Sequence, residues 1–284
     1  MKPEELNTPH DPTWCPACGN FGIWIALKKA ITELNLDPNH VAVSYGIGCS
    51  GNENNFVKTY AFHSLHGRAL PPAAGIKFAN DALTVLAIGG DGDAYGEGGN
   101  HFIHACKNNY DITYLVHDNQ LYSLTTGQAS PTSQKGMATT TTPEGIIEDP
   151  LNPISLALAA NATFVARGFS GRADHLSGLI KQAIQHKGFS FIDILQNCVT
   201  FNKLNTFQFF NQRIYDMNAE GYEANDRQKA HAKAMEWGDR IPIGIFYQEE
   251  KPSYNSVVSQ KRNGTLVEQS LEKADLTPNF EKMV

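Results

Sequence analysis

Along the chain, apolar residues gather into short β-branched runs separated by longer stretches in which they recur at helical spacing. The runs at 41–45, 83–88, 112–116, 163–166 and 191–195 predict buried parallel strands, because strands covered on both faces read as continuous apolar segments. The intervening periodicity predicts helices over 21–34, 68–79, 98–107, 154–160 and 173–186. Strict β-α alternation implies right-handed crossovers, so the expected fold class is α/β: a doubly wound, mostly parallel sheet with helices on both faces.

Two regions depart from that alternation. Residues 118–153 form a long stretch of Thr, Ser, Pro and Gly, and a loop of that length inside a compact domain is usually functional. After Cys198 the chain turns to Asn, Gln, Lys and Phe, with one further helix expected over 225–236. The expected organisation is therefore one domain over 1–200 and an irregular C-terminal arm over 201–284.

Composition narrows the setting. The chain has 284 residues, 41% hydrophobic and only 18% charged, against about 25% charged in an average soluble protein, which suggests burial against partner subunits. A net charge of −6 gives no reason to bind nucleic acid or an anionic membrane, so neither is expected as a partner. Residues 1–14 are polar with three prolines and lack the apolar core of a signal peptide, and no run approaches the roughly 20 apolar residues of a membrane span. A cytoplasmic location is expected, where five cysteines are metal ligands or buried thiols rather than disulfides.

The candidate chemistry begins where the strand at 83–88 runs into Gly89-Gly90-Asp91-Gly92-Asp93, with Gly96, Gly98 and Gly99 opening the next helix. Such glycines let backbone amides approach an anion at a helix N-terminus. The following strand ends in His117-Asp118-Asn119. If the two strands are neighbours, Asp91 and Asn119 share the carboxyl edge of the sheet, where open α/β sheets bind ligands. A carboxylate, an amide oxygen and the backbone carbonyl of Leu121 form half of an octahedron that diphosphate oxygens and water would complete around Mg²⁺. Gly-Asp-Gly alone reads more economically as a helix cap and a turn. An Asn one β-α-β unit later reverses that preference, and the pair resembles the thiamine diphosphate signature.

Cys15-Pro16-Ala17-Cys18 lies before the first helix, Cys49 after the first strand and Cys198 past the last clear strand. Four thiolates from three loops suit zinc or a [4Fe–4S] cluster equally on sequence grounds. Cys106, within a predicted helix, reads as a buried thiol. His101 and His104, three apart on that helix and without a carboxylate partner, read as packing or surface residues.

Taken together, the segments Trp14 to Gly22, Gly46-Ile47-Gly48-Cys49-Ser50-Gly51, Leu65-His66-Gly67-Arg68-Ala69, Gly89 to Gly92, Asp118-Asn119 and Leu124 to Thr132 resemble the β subunit of 2-oxoacid:ferredoxin oxidoreductases from about Pro12 to Thr200. The resemblance implies thiamine diphosphate held through Mg²⁺ on Asp91, Asn119 and Leu121, and a [4Fe–4S] cluster on Cys15, Cys18, Cys49 and Cys198. It implies cofactor contacts from Gly48, Cys49, Ser50, His66, Gly67, Gly90, Asp91, Gly92, Asp93, Asn119, Leu121, Tyr122, Leu124 and Thr125. Candidate catalytic or substrate-contacting residues are His66, Arg68, Asn52, Leu124 and Thr126. The implied reaction is CoA-dependent oxidative decarboxylation of a 2-oxoacid with one-electron transfer to ferredoxin, or its reverse. An α subunit would bring the pyrimidine-binding domain.

The Leu65-His66-Gly67-Arg68 stretch and the Thr-x-Gly-Gln-x-Ser-Pro-Thr loop look closer to members handling 2-oxoglutarate or a broad range of 2-oxoacids than to pyruvate-specialised ones. Some broad-range relatives carry Lys where this chain has Asn52 and Thr126, so a cation for a distal carboxylate would come from the partner chain, Arg68 or Lys58. The readings from other classes are a non-redox thiamine decarboxylase with structural zinc, and a non-catalytic assembly module.

Overall fold

The computed structural model describes residues 1–258, 264–270 and 275–283. One sheet of eight strands, β1 (Val41–Tyr45), β2 (Tyr60–His63), β3 (Thr84–Gly90), β4 (Thr113–Asp118), β7 (Phe164–Phe169), β8 (Ser190–Leu195), β9 (Ile214–Asp216) and β10 (Ile241–Gln248), runs in the order β2-β1-β3-β4-β8-β7-β10-β9. All pairings are parallel except β10 with β7. A small hairpin of β5 (Leu121–Tyr122) and β6 (Gln128–Ala129) stands apart at the start of the long loop.

Helices cover both faces, as the alternation predicts. On one face α1 (Asn20–Glu33) and α5 (Ala173–Gln185) pack on Val43, Leu86, Ile88, Leu115 and Ile192. On the other, α2 (Leu70–Ala79), α3 (Gly99–Asn108), α4 (Pro153–Ala159) and α7 (Arg227–Ala234) pack on Val85, Ala87, Tyr114, Val116 and Phe191. A short helix, α6 (Phe207–Arg213), buries Phe210 in a smaller cluster with Phe169, Leu195 and Ile243. Successive residues of a strand point to opposite faces, so the continuous runs feed both layers at once. No helix among the described residues is long and apolar enough to cross a membrane.

Three strands of the eight-stranded sheet lie outside the sequence expectation, as does the β5-β6 hairpin. β2 is a four-residue edge strand with every side chain exposed, so it carries no burial signal. β9 and β10 lie within the stretch expected as an arm, and β10 is a buried strand between β7 and β9. Pro242 and Gly244 interrupt its run and would demote it to an edge; Pro242 lies where β10 pairs with β9 only, the pairing with β7 begins at Gly244, and a bulge follows between Ile245 and Tyr247.

What the sheet order does for the site is place β3 beside β4, with Gly90 opposite His117. The chain past β1, β3, β4 and β8 therefore leaves the sheet at one carboxyl edge, and Cys49, Asp91, Asn119 and Cys198 all follow there.

Candidate active site

Asp91 is 1% exposed at the mouth of a π-helical turn, Gly92–Glu97, a distortion often found at functional sites. Its Oδ2 accepts from Ser130 Oγ (2.5 Å) and Thr132 Oγ1 (2.8 Å). No hydrogen bond of good geometry reaches Oδ1, although the backbone amides of Asp91 and Asn119 face the carboxylate. Burial raises Asp91 from the ordinary carboxylate value to about 6, against the lowering effect of the two hydroxyls. A buried carboxylate with one oxygen left unpartnered is suited to bind a cation.

Thr132 also touches a second carboxyl, its Oγ1 lying 2.8 Å from Asp118 Oδ1. A hydroxyl has one proton and cannot donate to two carboxylates at once, so one of the pair must itself be protonated. Burial, with the charges of Asp193 and Asp91 next, pushes Asp118 well above the usual range, which makes it the acid and leaves Asp91 the carboxylate.

Asn119 follows β4, and Gln120 turns the chain sharply with φ of +62°. Asn119 Oδ1 accepts from Leu121 N (3.1 Å) and Ser123 Oγ (2.8 Å). Its Nδ2 donates to Gln196 Oε1 at 3.3 Å. The cleft beneath holds about 70 Å³ and is lined by Gly48, Cys49, Ser50, His66, Gly90, Asp91, Gly92, Asp93, Asn119, Leu121, Tyr122, Leu124 and Thr125, together with Ile47 and Ser123. Of the expected cofactor contacts, only Gly67 stands outside this lining. Ser50 Oγ is a second unpartnered polar atom there.

Glycines permit the close approaches that shape the cleft. A Cβ on Gly92 would lie 2.3 Å from the Tyr122 ring, and one on Gly46 would lie 2.0 Å from Asp93 Oδ2. Asp93 Oδ1 accepts from the backbone amides of Ile47 (3.0 Å) and Gly67 (2.9 Å), so this carboxylate clamps the two loops that form one wall. His66 Nδ1 sits 3.1 Å from Asp93 Oδ1 and 3.3 Å from Glu97 Oε2. Glu97 in turn accepts from the Tyr122 hydroxyl at 3.0 Å.

Next to this cleft is a cavity of about 220 Å³ lined by Cys15, Cys18, Cys49 and Cys198, with Trp14, Asn52, Phe201 and Gln196. Cys49, Asn119, Ser123 and Leu124 belong to both walls. Burial pushes the Cys49 thiol up to about 12, and the other three thiols add to the shift, so all four interact electrostatically. Among the described residues, no three His, Cys, Asp or Glu side chains converge as on a single metal ion; the four thiols surround a space instead. Trp14 Nε1 donates to the Cys49 carbonyl at 2.7 Å, with its ring edge-on to Phe21 and Phe56, and so fixes that wall.

The remaining candidates are placed differently. Asn52 faces the cysteine cavity rather than the cleft. Arg68 is exposed and meets His101 Nε2 at 2.7 Å, so that histidine has a partner the helical spacing did not indicate. Thr126 lines neither space and has φ of +81°. Cys106 is buried within α3. Sequence reasoning passed over Ser130 and Thr132, which carry Asp91, and Gln196; the first two lay inside the Ser-Pro-Thr stretch, but their target was visible only once the long loop had folded back.

On the opposite face of β4 lies a buried group with no visible role in cofactor contact. His117 Nδ1 is 2.9 Å from Asn20 Oδ1, which can only accept, so Nδ1 carries the hydrogen and the Nε2 lone pair faces Glu53 Oε2 at 3.8 Å. Burial raises Glu53 to about 8 and lowers His117 to about 3, so both are neutral at pH 7. An acid held above its unfolded value of 4.5 keeps its proton in the fold while the unfolded chain releases it. Stability attributable to Glu53 is therefore full below about pH 4.5 and declines as pH rises to about 8. Glu53→Gln should flatten that slope, by up to ~1.4 kcal/mol per pH unit. Thermal unfolding of both proteins from pH 5 to 8 checks it; parallel curves would contradict the assignment.

Fold and site together define a thiamine pyrophosphate-binding chain: residues 33–194 match the thiamine pyrophosphate enzyme C-terminal TPP binding domain, and residues 198–263 match the C-terminal region of the pyruvate ferredoxin oxidoreductase beta subunit. The 2-oxoacid:ferredoxin oxidoreductase subunit beta of Saccharolobus solfataricus is 48% identical, covering 84% of this chain and 82% of its own. The 2-oxoglutarate synthase subunit KorB of Methanocaldococcus jannaschii is 38% identical, covering 85% and 89%. A solved 2-oxoglutarate:ferredoxin oxidoreductase from Magnetococcus marinus, with 2-oxoglutarate, coenzyme A and succinyl-CoA bound, superposes with a TM-score of 0.92 at 36% identity over 100% of this chain and 96% of that one. The chain belongs to the 2-oxoacid:ferredoxin oxidoreductase family as a beta subunit, an oxidoreductase component.

Proposed function

We propose that this chain binds thiamine diphosphate through Mg²⁺ on Asp91, Asn119 and the Leu121 carbonyl, and carries a [4Fe–4S] cluster on Cys15, Cys18, Cys49 and Cys198. With an α subunit supplying the pyrimidine-binding domain, it catalyses CoA-dependent oxidative decarboxylation of 2-oxoglutarate with electrons passing to ferredoxin, or the reverse. The single observation that carries this reading is the shared wall: Cys49, Asn119, Ser123 and Leu124 line both the cleft and the cysteine cavity.

The residues present suit both groups. Asp91 Oδ1 and Ser50 Oγ are buried and unpartnered in the cleft, as atoms awaiting a metal and a diphosphate would be. A cubane is bound at four separate irons, which agrees with thiols spread around a cavity, and its positive core offsets their mutual repulsion. Thiamine diphosphate supplies a carbon nucleophile for the keto carbon and a sink for the electrons left when CO₂ departs. The cluster supplies a one-electron acceptor beside it.

The chain's own contribution is positional. Asp93 holds the 46–51 and 66–67 loops against each other, and His66, anchored at Nδ1 by Asp93 and Glu97, lines the cleft. Leu124 lines both spaces.

The substrate preference rests on the KorB relatives and on the Magnetococcus enzyme with its bound 2-oxoglutarate. No Lys or Arg lines the cleft among the described residues: Lys58 is exposed outside it and Arg68 is engaged by His101, so the cation for the distal carboxylate comes from the partner subunit. Assay of the purified complex with CoA and a viologen dye should give a higher kcat/KM for 2-oxoglutarate than for pyruvate or 2-oxobutyrate. A higher value for pyruvate would sink the preference.

A further inference from the structure

Gln196 lines the cysteine cavity and reaches Asn119, which lines both spaces. It follows β8 directly, is 1% exposed, and lies two residues before Cys198. Its backbone amide donates to the Asp118 carbonyl at 2.9 Å, which ties it to the end of β4. Its side-chain amide has a partner on each side: Oε1 accepts from Asn119 Nδ2 at 3.3 Å, and Nε2 donates to Cys18 Sγ at 3.3 Å. Gly19 makes room for it, because a Cβ there would lie 2.6 Å from Gln196 Cγ.

These contacts fix one another's direction. An amide oxygen only accepts and an amide nitrogen only donates, so the bond from Asn119 Nδ2 forces Gln196 to turn its N–H towards sulfur. The same bond directs Asn119 Oδ1 away from Gln196, to the side where Leu121 N and Ser123 Oγ lie. Hydrogen bonds to cluster sulfurs are among the levers that set cluster potential, since they stabilise the more negative, reduced state. Residues that orient a metal ligand from behind act on metal affinity, typically by 10–100-fold.

We infer that Gln196 is a positioning residue serving both centres at once, holding Asn119 for the thiamine-bound metal and tuning the potential of the adjacent cluster through its N–H···S bond to Cys18. The inference rests on the cofactor assignment above, yet it fails separately from it. One side chain thereby links the place where electrons are released to the place where they are received. A change there should move two properties that are otherwise independent, thiamine diphosphate affinity and cluster potential.

The test is an EPR-monitored redox titration of the anaerobically purified complex, as wild type, Gln196→Leu and Gln196→Glu, with iron content and thiamine diphosphate affinity measured on the same samples. Gln196→Leu, which removes the donor without adding charge, should lower the cluster's one-electron reduction constant about tenfold, or ~59 mV. It should also weaken thiamine diphosphate binding about 10-fold or more. Gln196→Glu should shift the potential further in the same direction. If Glu expels the cluster, the Leu variant decides. Full iron content and an unchanged potential in Gln196→Leu would overturn the inference. Absence of any cluster signal in the wild type would instead overturn the assignment beneath it.

Discussion

Replacing Asp91 with Ala should lower the affinity of the complex for thiamine diphosphate and Mg²⁺ by more than about 100-fold and abolish turnover. The expectation follows from the half-satisfied carboxylate: Oδ2 is held by Ser130 and Thr132, and buried Oδ1 has no hydrogen-bond partner. Even residues that merely orient a metal ligand typically contribute 10–100-fold. The rival reading, that Asp91 simply caps a helical turn, predicts a loss of only ~1 kcal/mol in stability and unchanged cofactor affinity. Asp91 does occupy the position before the π-helical turn but makes no capping bond with its side chain. Protons should compete with the metal in the same way. Because burial raises Asp91 to about 6, Mg²⁺ affinity should be level above that pH and fall about tenfold per unit below it. Cofactor titrations of the wild type from pH 5 to 8, and of Asp91→Ala at pH 7.5, measure both effects.

Cys198→Ser should give the second large effect, in a different property. The protein should lose most of its iron and its broad absorbance near 400 nm, and 2-oxoacid-dependent dye reduction should fall at least about 1,000-fold, while thiamine diphosphate affinity stays within a few-fold. Cys198 lines the cysteine cavity but not the cleft, which is why the two properties should separate. Cys106→Ser is the control, since that thiol is buried within α3 and lines neither space. Loss of thiamine diphosphate binding in Cys198→Ser, with iron retained, would contradict the assignment of the two spaces.

Much of this was legible in the chain. β1, β3, β4, β7 and β8 are buried on both faces, so their apolar runs stand out against the polar stretches around them. The spacing from Asp91 to Asn119 is one β-α-β unit, and the pairing of β3 with β4 brings those residues to one cleft. The strand β2 was silent because an exposed edge strand has no apolar face, and β10 because Pro242 and Gly244 mask an otherwise continuous run. Within the site, sequence identified the residues that line the two spaces better than the residues that hold those in place. Ser130, Thr132 and Gln196 act on other side chains across long stretches of chain, and such contacts depend on how a loop folds back, which no local pattern encodes. Arg68 illustrates the reverse: a cation two residues after His66 in sequence points instead to His101.

The central claim is that a thiamine site and an iron–sulfur cluster share one wall in this chain. Its most direct test is metal, sulfide and thiamine analysis of the complex purified without oxygen. The account predicts about four irons and four acid-labile sulfides beyond any carried by partner subunits, with one thiamine diphosphate per copy of this chain and a brown colour. Stoichiometric zinc in a colourless protein, without sulfide, would contradict it and favour a non-redox thiamine enzyme.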